Sequence, residues 1–164
     1  MIFVTVGTHE QPFDRLVKAI DDLAAAGVLT EEVIIQTGYS TYTPRHCAST
    51  PFFLYGKMQQ LVREARIVIT HGGPSSFLMP IKYRKVPIVV PRMRCFGEHV
   101  NDHQVSFCRE VSSQSRTFLL VEDVAALADT IAQYDELCAQ CSPDALNNNA
   151  AFNRGIAKIV EDLL

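Results

Sequence analysis

Ile67-Val68-Ile69-Thr70-His71-Gly72-Gly73-Pro74-Ser75-Ser76 is the stretch of sequence that decides the fold. Its first part is a run of β-branched residues, as in a strand buried on both faces of a parallel sheet. Two glycines then indicate a tight turn, and Pro74 suits the first turn of a helix. The stretch therefore predicts a strand over 67–70 that leads through a glycine turn into a helix over about 75–83.

The same alternation of strand and helix continues on both sides of this stretch. We predict further strands at 2–6, 33–36, 52–55, 88–90 and 117–121, further helices at 12–26, 58–65, 98–111, 124–134 and 144–164, and an exposed loop over 39–49. Strands separated by helices form βαβ units, with a parallel sheet and right-handed crossovers. The prediction is one α/β domain over residues 1–164, doubly wound and Rossmann-like.

The composition argues against several classes of protein. The chain has 15 Lys and Arg against 18 Asp and Glu, so it has no basic excess for binding nucleic acid or an anionic membrane. It begins without a basic leader, and no apolar stretch reaches the roughly 20 residues of a membrane span, so we expect neither a signal peptide nor an anchor. Its five scattered cysteines are expected to be reduced thiols in a cytoplasmic protein.

Three segments with unusual chemistry follow predicted strands. They are Gly7-Thr8-His9-Glu10, His71-Gly72-Gly73-Pro74-Ser75-Ser76 and the run from Pro91 to Gln104. Doubly wound folds bind their ligands beyond the carboxyl ends of the strands, near the switch in strand order. We therefore expect the three segments to converge on one cleft.

The His71–Ser76 segment has the features of an anion site. Free N–H groups and hydroxyls of Ser75 and Ser76, at the positive end of a helix dipole, suit a phosphate. An ordinary strand-to-helix turn is the alternative, because the segment is neither a Walker A loop nor a GxGxxG fingerprint.

The other two segments offer acid–base and hydroxyl-binding groups. His9 beside Glu10 is a candidate general base, because histidine titrates near neutral pH, although a structural hydrogen-bond donor is the alternative. If 98–111 is helical, Glu98 and Asp102 lie one turn apart on one face. With Gln104 they offer acceptors for sugar hydroxyls, and a solvated helix start is the alternative.

Two patterns raise the alternative of a metal or redox site. His99 and His103 have the spacing of metal ligands on a helix, and Cys138 and Cys141 form a CxxC pair. The pairs are too distant in sequence for a zinc finger, and the CxxC does not follow a first strand as in thioredoxin-like folds. We expect no metal and no other cofactor; a metal hydrolase using His71, His99 and His103 is the competing hypothesis.

Together the segments resemble the C-terminal domain of GT-B glycosyltransferases of the MurG type. The resemblance is carried by Val4-Thr5-Val6-Gly7-Thr8-His9-Glu10-Gln11-Pro12-Phe13-Asp14, by 70–76, by 86–91 and by 98–104. The chain looks most similar to half-size bacterial proteins of capsule and exopolysaccharide synthesis. Those proteins are similar to the soluble catalytic subunit of the dolichol-pathway N-acetylglucosaminyltransferase.

This resemblance implies one half of a GT-B fold, a UDP-sugar donor and an inverting transfer that forms a β-linkage. The Gly7-Thr8 loop and the turn from His71 through Gly72 and Gly73 to Ser75 and Ser76 would bracket the diphosphate. Hydroxyls of the donor sugar would be bound by Glu98, Asp102 and Gln104.

One residue departs from the family pattern. Related sequences often carry a ribose-binding Glu eight residues after the motif histidine, and this chain has Met79 there. We therefore expect the ribose to be bound by other residues than in the related proteins.

The length implies a partner. A full GT-B enzyme has two such domains with the active site between them, and 164 residues provide only one. We expect a separate membrane-associated subunit to bind a polyprenyl-diphosphate-linked saccharide acceptor and to recruit this cytoplasmic chain to the inner face of the membrane. The apolar stripe of the predicted helix over 144–164 would either dock the partner or pack on the sheet.

The expected function is that of a catalytic subunit transferring a hexose, with galactose or glucuronic acid favoured over N-acetylglucosamine. His9 would be the base and Glu10 its orienter or substitute. The alternative, which Met79 favours, is a non-catalytic nucleotide-sugar-binding or enhancer subunit of a partner transferase.

Overall fold

A computed structural model describes residues 1–141 and contains one sheet of six strands. The strands are β1 (Ile2–Thr5), β2 (Val33–Gln36), β3 (Ala48–Thr50), β4 (Ile67–His71), β5 (Ile88–Val90) and β6 (Leu119–Leu120). The α-helices are α1 (Asp14–Ala25), α2 (Tyr55–Glu64), α3 (Pro74–Lys82), α4 (His103–Gln114), α5 (Leu127–Ala132) and α6 (Tyr134–Cys138). The helix predicted over 144–164, with its apolar stripe, lies outside the described residues.

The sheet has the strand order β3-β2-β1-β4-β5-β6, and every neighbouring pair is parallel. This is the order of a doubly wound Rossmann-like sheet, so the predicted fold class is confirmed. The order reverses between β1 and β4, where Thr5 pairs with Thr70. The loops that leave these two strands therefore flank the position at which such sheets bind ligands.

Apolar side chains cover both faces of the central strands. On one face, Ile2, Val4 and Ile69 belong to the same buried cluster as the helical stripe Leu16, Val17 and Ile20 of α1. On the other face, Phe3 and Val68 pack with Leu61 and Val62 of α2. This alternation along β1 and β4 holds the two site-bearing loops on a rigid, fully buried scaffold.

Two predicted boundaries near the third strand are wrong. The strand predicted at 52–55 lies instead at Ala48–Thr50, within the segment predicted as a loop, and α2 starts at Tyr55 rather than at 58. Within residues 1–141, β3 is an edge strand whose one neighbour is β2. Its side chains are exposed or half-buried, so they need not be apolar. The sequence therefore has no apolar pattern that would predict this strand.

The helix predicted over 98–111 begins five residues later, at His103. A 3-10 turn at Arg94–Phe96 ends at Gly97 with φ 70°, and the Glu98 side chain is then drawn inward by ionic contacts. Glu98 and Asp102 therefore do not share a helical face, and neither do His99 and His103.

The end of the described chain is also more broken than predicted. The last strand is confined to Leu119–Leu120, and the helix expected over 124–134 is divided into a 3-10 turn at Val124–Ala126 followed by α5 and α6. The break falls at Gln133, whose backbone has φ −97° and ψ 13°. Within residues 1–141 no helix has the length and apolar character needed to cross a bilayer.

Candidate functional site

A cavity of about 480 Å³ opens at the carboxyl ends of β1 and β4. It is lined by Thr5, Gly7, Thr8, His9, Gln36, Met58, Val62, His71, Ser75, Ser76, Met79, His99 and Gln104. Each of the three segments predicted to converge contributes residues to the lining of this cavity, so the structure does bring them together. One side of the cavity is polar, and Met58, Val62 and Met79 form an apolar side.

The His71 side chain is the centre of the polar side. It is buried, its Nδ1 accepts the N–H of Gly73 at 3.0 Å, and its Nε2 lies 2.6 Å from Oγ of Ser76. A Cβ atom on Gly7 would lie 2.3 Å from Nε2, and one on Gly73 would lie 2.4 Å from Cε1. The two glycines therefore make room for the imidazole, which joins the loops after β1 and β4.

The backbone amides of the glycine turn are largely occupied by the protein itself. The N–H of Gly72 donates to Oε1 of Gln104 at 3.1 Å, and that of Ser76 donates to the carbonyl of Gly73 at 3.0 Å. The expectation that both Ser75 and Ser76 present free amides is thus wrong for Ser76. Ser75 is the second residue of α3, where an N–H has no acceptor within its own helix. An anion would therefore meet the Ser75 amide and the two serine hydroxyls.

Gln104 presents one particular end of its carboxamide to the cavity. Its Oε1 accepts the N–H groups of both Gly72 and Arg92, each at 3.1 Å. Because two backbone donors converge on this oxygen, the orientation of the amide is fixed. The Nε2 group of Gln104 is then the part available to a ligand, as a donor to a sugar hydroxyl or to an anionic oxygen.

Glu98 and Asp102, predicted as sugar ligands, do not line this cavity. Glu98 is only 3% exposed, and its carboxylate accepts two hydrogen bonds from Arg15, each of 2.9 Å, and one of 3.0 Å from the N–H of Met93. Asp102 is exposed and accepts the N–H of Arg94 at 2.8 Å. Both carboxylates thus contact protein groups that shape the loop before α4.

A buried cation, Arg92, lies behind the site and was missed by the sequence reasoning. Its guanidinium donates to the carbonyls of Val6, Gln11, Pro12 and Glu98 over 2.8 to 3.2 Å. Burial lowers its pKa to about 10, with the charge of Glu98 opposing this shift, so Arg92 is charged at neutral pH. It ties the loop after β1 to the loop after β5.

Replacing Arg92 with Met is expected to lower the free energy of unfolding by about 3 kcal/mol, because buried carbonyls lose their donors. Urea unfolding measures this loss. Arg94→Met is the matched control, since Arg94 is exposed and its variant should stay within about 0.5 kcal/mol of wild type. Equal stability of the two variants would show that the Arg92 contacts contribute little.

The His9 side chain lines the cavity and contacts two residues, Gln11 and His99, for which the sequence predicted no contact with it. Its Nε2 lies 3.0 Å from Oε1 of Gln11, and its ring stacks on His99 with centroids 4.8 Å apart. With the amide oxygen as acceptor, Nε2 carries the proton and Nδ1 keeps its lone pair. The group that orients His9 is therefore Gln11, whereas the predicted orienter, Glu10, is exposed and does not line the cavity.

The metal and redox alternatives find no support in the described part of the chain. Within residues 1–141 there is no group of three or more His, Cys, Asp or Glu that could hold a metal ion. Burial raises the pKa of the thiols of Cys138 and Cys141, the opposite of what a reactive CxxC pair requires. Both ring nitrogens of His71 are engaged within the protein.

Comparison with known proteins identifies the family. The glycosyltransferase family 28 C-terminal domain matches residues 1–158. The chain belongs to this family. The family is one of glycosyltransferases, and the predicted resemblance to a GT-B C-terminal domain is confirmed.

Among solved structures, the family 28 domain is similar to the glycosyltransferase SnogD from Streptomyces nogalater, at 16% sequence identity and a TM-score of 0.47. The similarity covers 80% of this chain and 34% of that chain, so the domain spans about a third of the length of SnogD. A comparison with curated protein sequences found no match.

The buried imidazole makes the stability of the family 28 domain depend on pH. Burial and the charge of Arg92, with smaller contributions from His9 and His99, lower the pKa of His71 from 6.5 to about 4, and Gln104 opposes this shift. Between these values the unfolded chain binds a proton that the folded domain does not. The contribution of His71 to the free energy of unfolding is therefore fully present above about pH 6.5. It amounts to about 3 kcal/mol and is lost as the pH falls towards 4.

We expect this acid-sensitive part of the free energy of unfolding to be absent in His71→Asn. Urea unfolding at several pH values between 7 and 4 measures it. His103→Asn is the matched control, because His103 is exposed and its variant should keep the wild-type slope. An unchanged slope in His71→Asn would show that another group causes the acid sensitivity.

Proposed function

We propose that this domain binds a UDP-sugar in the cavity between the loops after β1 and β4. As a catalytic subunit, it transfers the hexose with inversion to a polyprenyl-diphosphate-linked saccharide. The observation that carries the proposal is the set of donors around His71 at the switch point of the sheet: the Ser75 amide and the hydroxyls of Ser75 and Ser76. Such donors match the oxygens of a diphosphate.

Charge complementarity supports this placement of the diphosphate. The N-terminus of α3, with Pro74 in its first turn, directs the positive end of the helix dipole at the cavity. The buried Arg92 guanidinium adds a fixed positive charge near His71, behind the residues that line the cavity. Negative charge grows on the departing UDP as the glycosidic bond breaks, and these preorganised groups would stabilise it.

His9 is the proposed base of the transfer. An acceptor hydroxyl oxygen attacks the anomeric carbon, the bond from that carbon to the diphosphate oxygen breaks, and Nδ1 of His9 takes the hydroxyl proton. The positive charge that develops on His9 is supported by the Gln11 amide oxygen, 3.0 Å from Nε2. Direct displacement inverts the anomeric carbon and gives a β-linkage, with galactose or glucuronic acid as the proposed hexose.

The acceptor half of the enzyme is proposed to be a separate membrane-associated subunit, which holds this chain at the cytoplasmic face of the membrane. Apolar side chains at the carboxyl edge of the sheet support a contact with another protein. Leu54 is 85% exposed and Tyr55 is 67% exposed, and Tyr55 lies in a second hollow together with Ser75 and Met79. Exposed apolar patches of this kind are typical of interaction sites.

A non-catalytic nucleotide-sugar-binding or enhancer subunit is the second candidate. It is favoured by Met79, which lines the cavity at the position where related sequences carry the ribose-binding Glu. UDP-sugar binding without transfer in the complex with the acceptor subunit would support this candidate over catalysis.

Chemical-shift mapping tests the proposed site directly. Addition of UDP to the ¹⁵N-labelled chain is expected to shift the amide signals of Gly7, Thr8, Ser75 and Ser76 most strongly. Glu31, which pairs with Arg66 at the opposite end of the sheet, provides the internal control and should not move. Shifts confined to any other surface would contradict the proposed site.

A further inference from the structure

The two contacts of the His71 imidazole fix the position of its proton. The N–H of Gly73 can only donate, so Nδ1 of His71, 3.0 Å away, must carry a bare lone pair. A neutral imidazole with a bare Nδ1 holds its proton on Nε2. The hydroxyl oxygen of Ser76, 2.6 Å from Nε2, is then the acceptor of that proton.

This assignment determines what the Ser76 hydroxyl can offer a ligand. Because its oxygen accepts from His71, its own proton is directed away from the imidazole. Ser76 lines the cavity, and its backbone N–H is already used by the carbonyl of Gly73. The hydroxyl proton is thus the group through which Ser76 can bind an anion.

Resting on the proposed function, we propose that His71 is a positioning residue, which holds the Ser76 hydroxyl as a hydrogen-bond donor to a diphosphate oxygen of the UDP-sugar. His71 acts through Ser76, since it is only 8% exposed and both of its ring nitrogens are engaged. At neutral pH the imidazole carries a single proton, on Nε2, because burial and the nearby Arg92 charge lower the pKa of His71.

The variant His71→Asn separates the two contacts of the imidazole. The Asn oxygen can still accept the Gly73 N–H, but the side chain is too short to donate to Ser76. We expect His71→Asn and Ser76→Ala each to weaken UDP binding about 10-fold, the effect of one lost hydrogen bond to a charged group. The double variant should bind UDP no more weakly than Ser76→Ala alone, because both changes remove the same interaction.

Ser75→Ala gives the matched control for this cycle. The Ser75 hydroxyl also lines the cavity, but the imidazole of His71 contacts Ser76 instead. The effects of His71→Asn and Ser75→Ala should therefore multiply. Binding of uridine, which has no phosphate, should be unchanged in His71→Asn. A 10-fold loss from His71→Asn in the Ser76→Ala background, or an equal loss for uridine, would overturn the proposal.

Nitrogen NMR of His71 in the free wild-type protein tests the same proposal without any ligand. A protonated Nε2 and a bare Nδ1 are expected, and a proton on Nδ1 would overturn the positioning role while leaving UDP binding intact. If the wild-type chain has the expected tautomer but binds no UDP, the proposed function is overturned. The proposal that Ser76 donates to a diphosphate oxygen is then overturned as well.

Discussion

Replacing Gly7 with alanine is expected to abolish UDP binding, with at least about a 100-fold loss of affinity, and to lower the free energy of unfolding by about 3 kcal/mol. Gly7 has φ 76°, where an L-residue costs about 1 kcal/mol, and its new Cβ would lie 2.3 Å from Nε2 of His71. The imidazole would have to leave its place. This breaks its contacts with Gly73 and Ser76 and, because His71 lines the cavity, also moves the ring into the space proposed for the diphosphate. Calorimetry with UDP and urea unfolding measure the two losses.

Gly27→Ala is the matched control for this variant. Gly27 has φ 69°, so it carries the same backbone strain, but nothing lies within 4 Å of its Cβ position. We expect a loss of about 1 kcal/mol in stability and wild-type UDP affinity. If Gly7→Ala behaves like Gly27→Ala, the packing of the imidazole against the loop after β1 does not hold the site together.

Replacing His9 with alanine is expected to lower the rate of sugar transfer by a factor of about 100 to 10,000, the contribution of a positioned general base. The affinity for UDP should change only a few-fold, because the proposed diphosphate ligands belong to the turn after β4. The measurement is single-turnover transfer from a UDP-sugar by the complex of this chain with its acceptor subunit.

Glu10→Ala is the control for the choice of base. Its side chain is exposed and outside the cavity lining, so turnover within a few-fold of wild type is expected. Turnover of His9→Ala within a few-fold of wild type would place the base elsewhere, including on the partner. A large loss in Glu10→Ala would restore Glu10 to the role of orienter.

The fold was predictable where burial alone determines the sequence. β1 and residues 67–70 of β4 are fully buried, and they are all apolar or β-branched, so these strands are recognisable locally. β3 is an edge strand of three residues with exposed side chains, and only its pairing with β2 makes it a strand. No local pattern records such a pairing, which explains why the strand was predicted in the apolar run that follows it.

The position of the cavity was predictable from topology, but the contacts of the residues around it were not. Glycines after β1 and β4 indicated the cleft correctly, because the switch point of a doubly wound sheet is fixed by strand order. Glu98 was predicted to bind a sugar hydroxyl, but its carboxylate instead accepts a hydrogen bond from Arg15. The two residues lie 83 positions apart in the chain, so no local pattern indicates this contact. The start of α3 likewise indicated free amides at Ser75 and Ser76, whereas the N–H of Ser76 donates to the carbonyl of Gly73.

Calorimetric titration of the purified chain with UDP, UDP-galactose and UDP-glucuronate tests the central claim most directly. Binding of one uridine diphosphate per chain is expected for the wild type and for Gly27→Ala, and no binding is expected for Gly7→Ala. Absence of binding by any of these nucleotides, both alone and in the presence of the acceptor subunit, would contradict the assignment of this cavity as a nucleotide-sugar site.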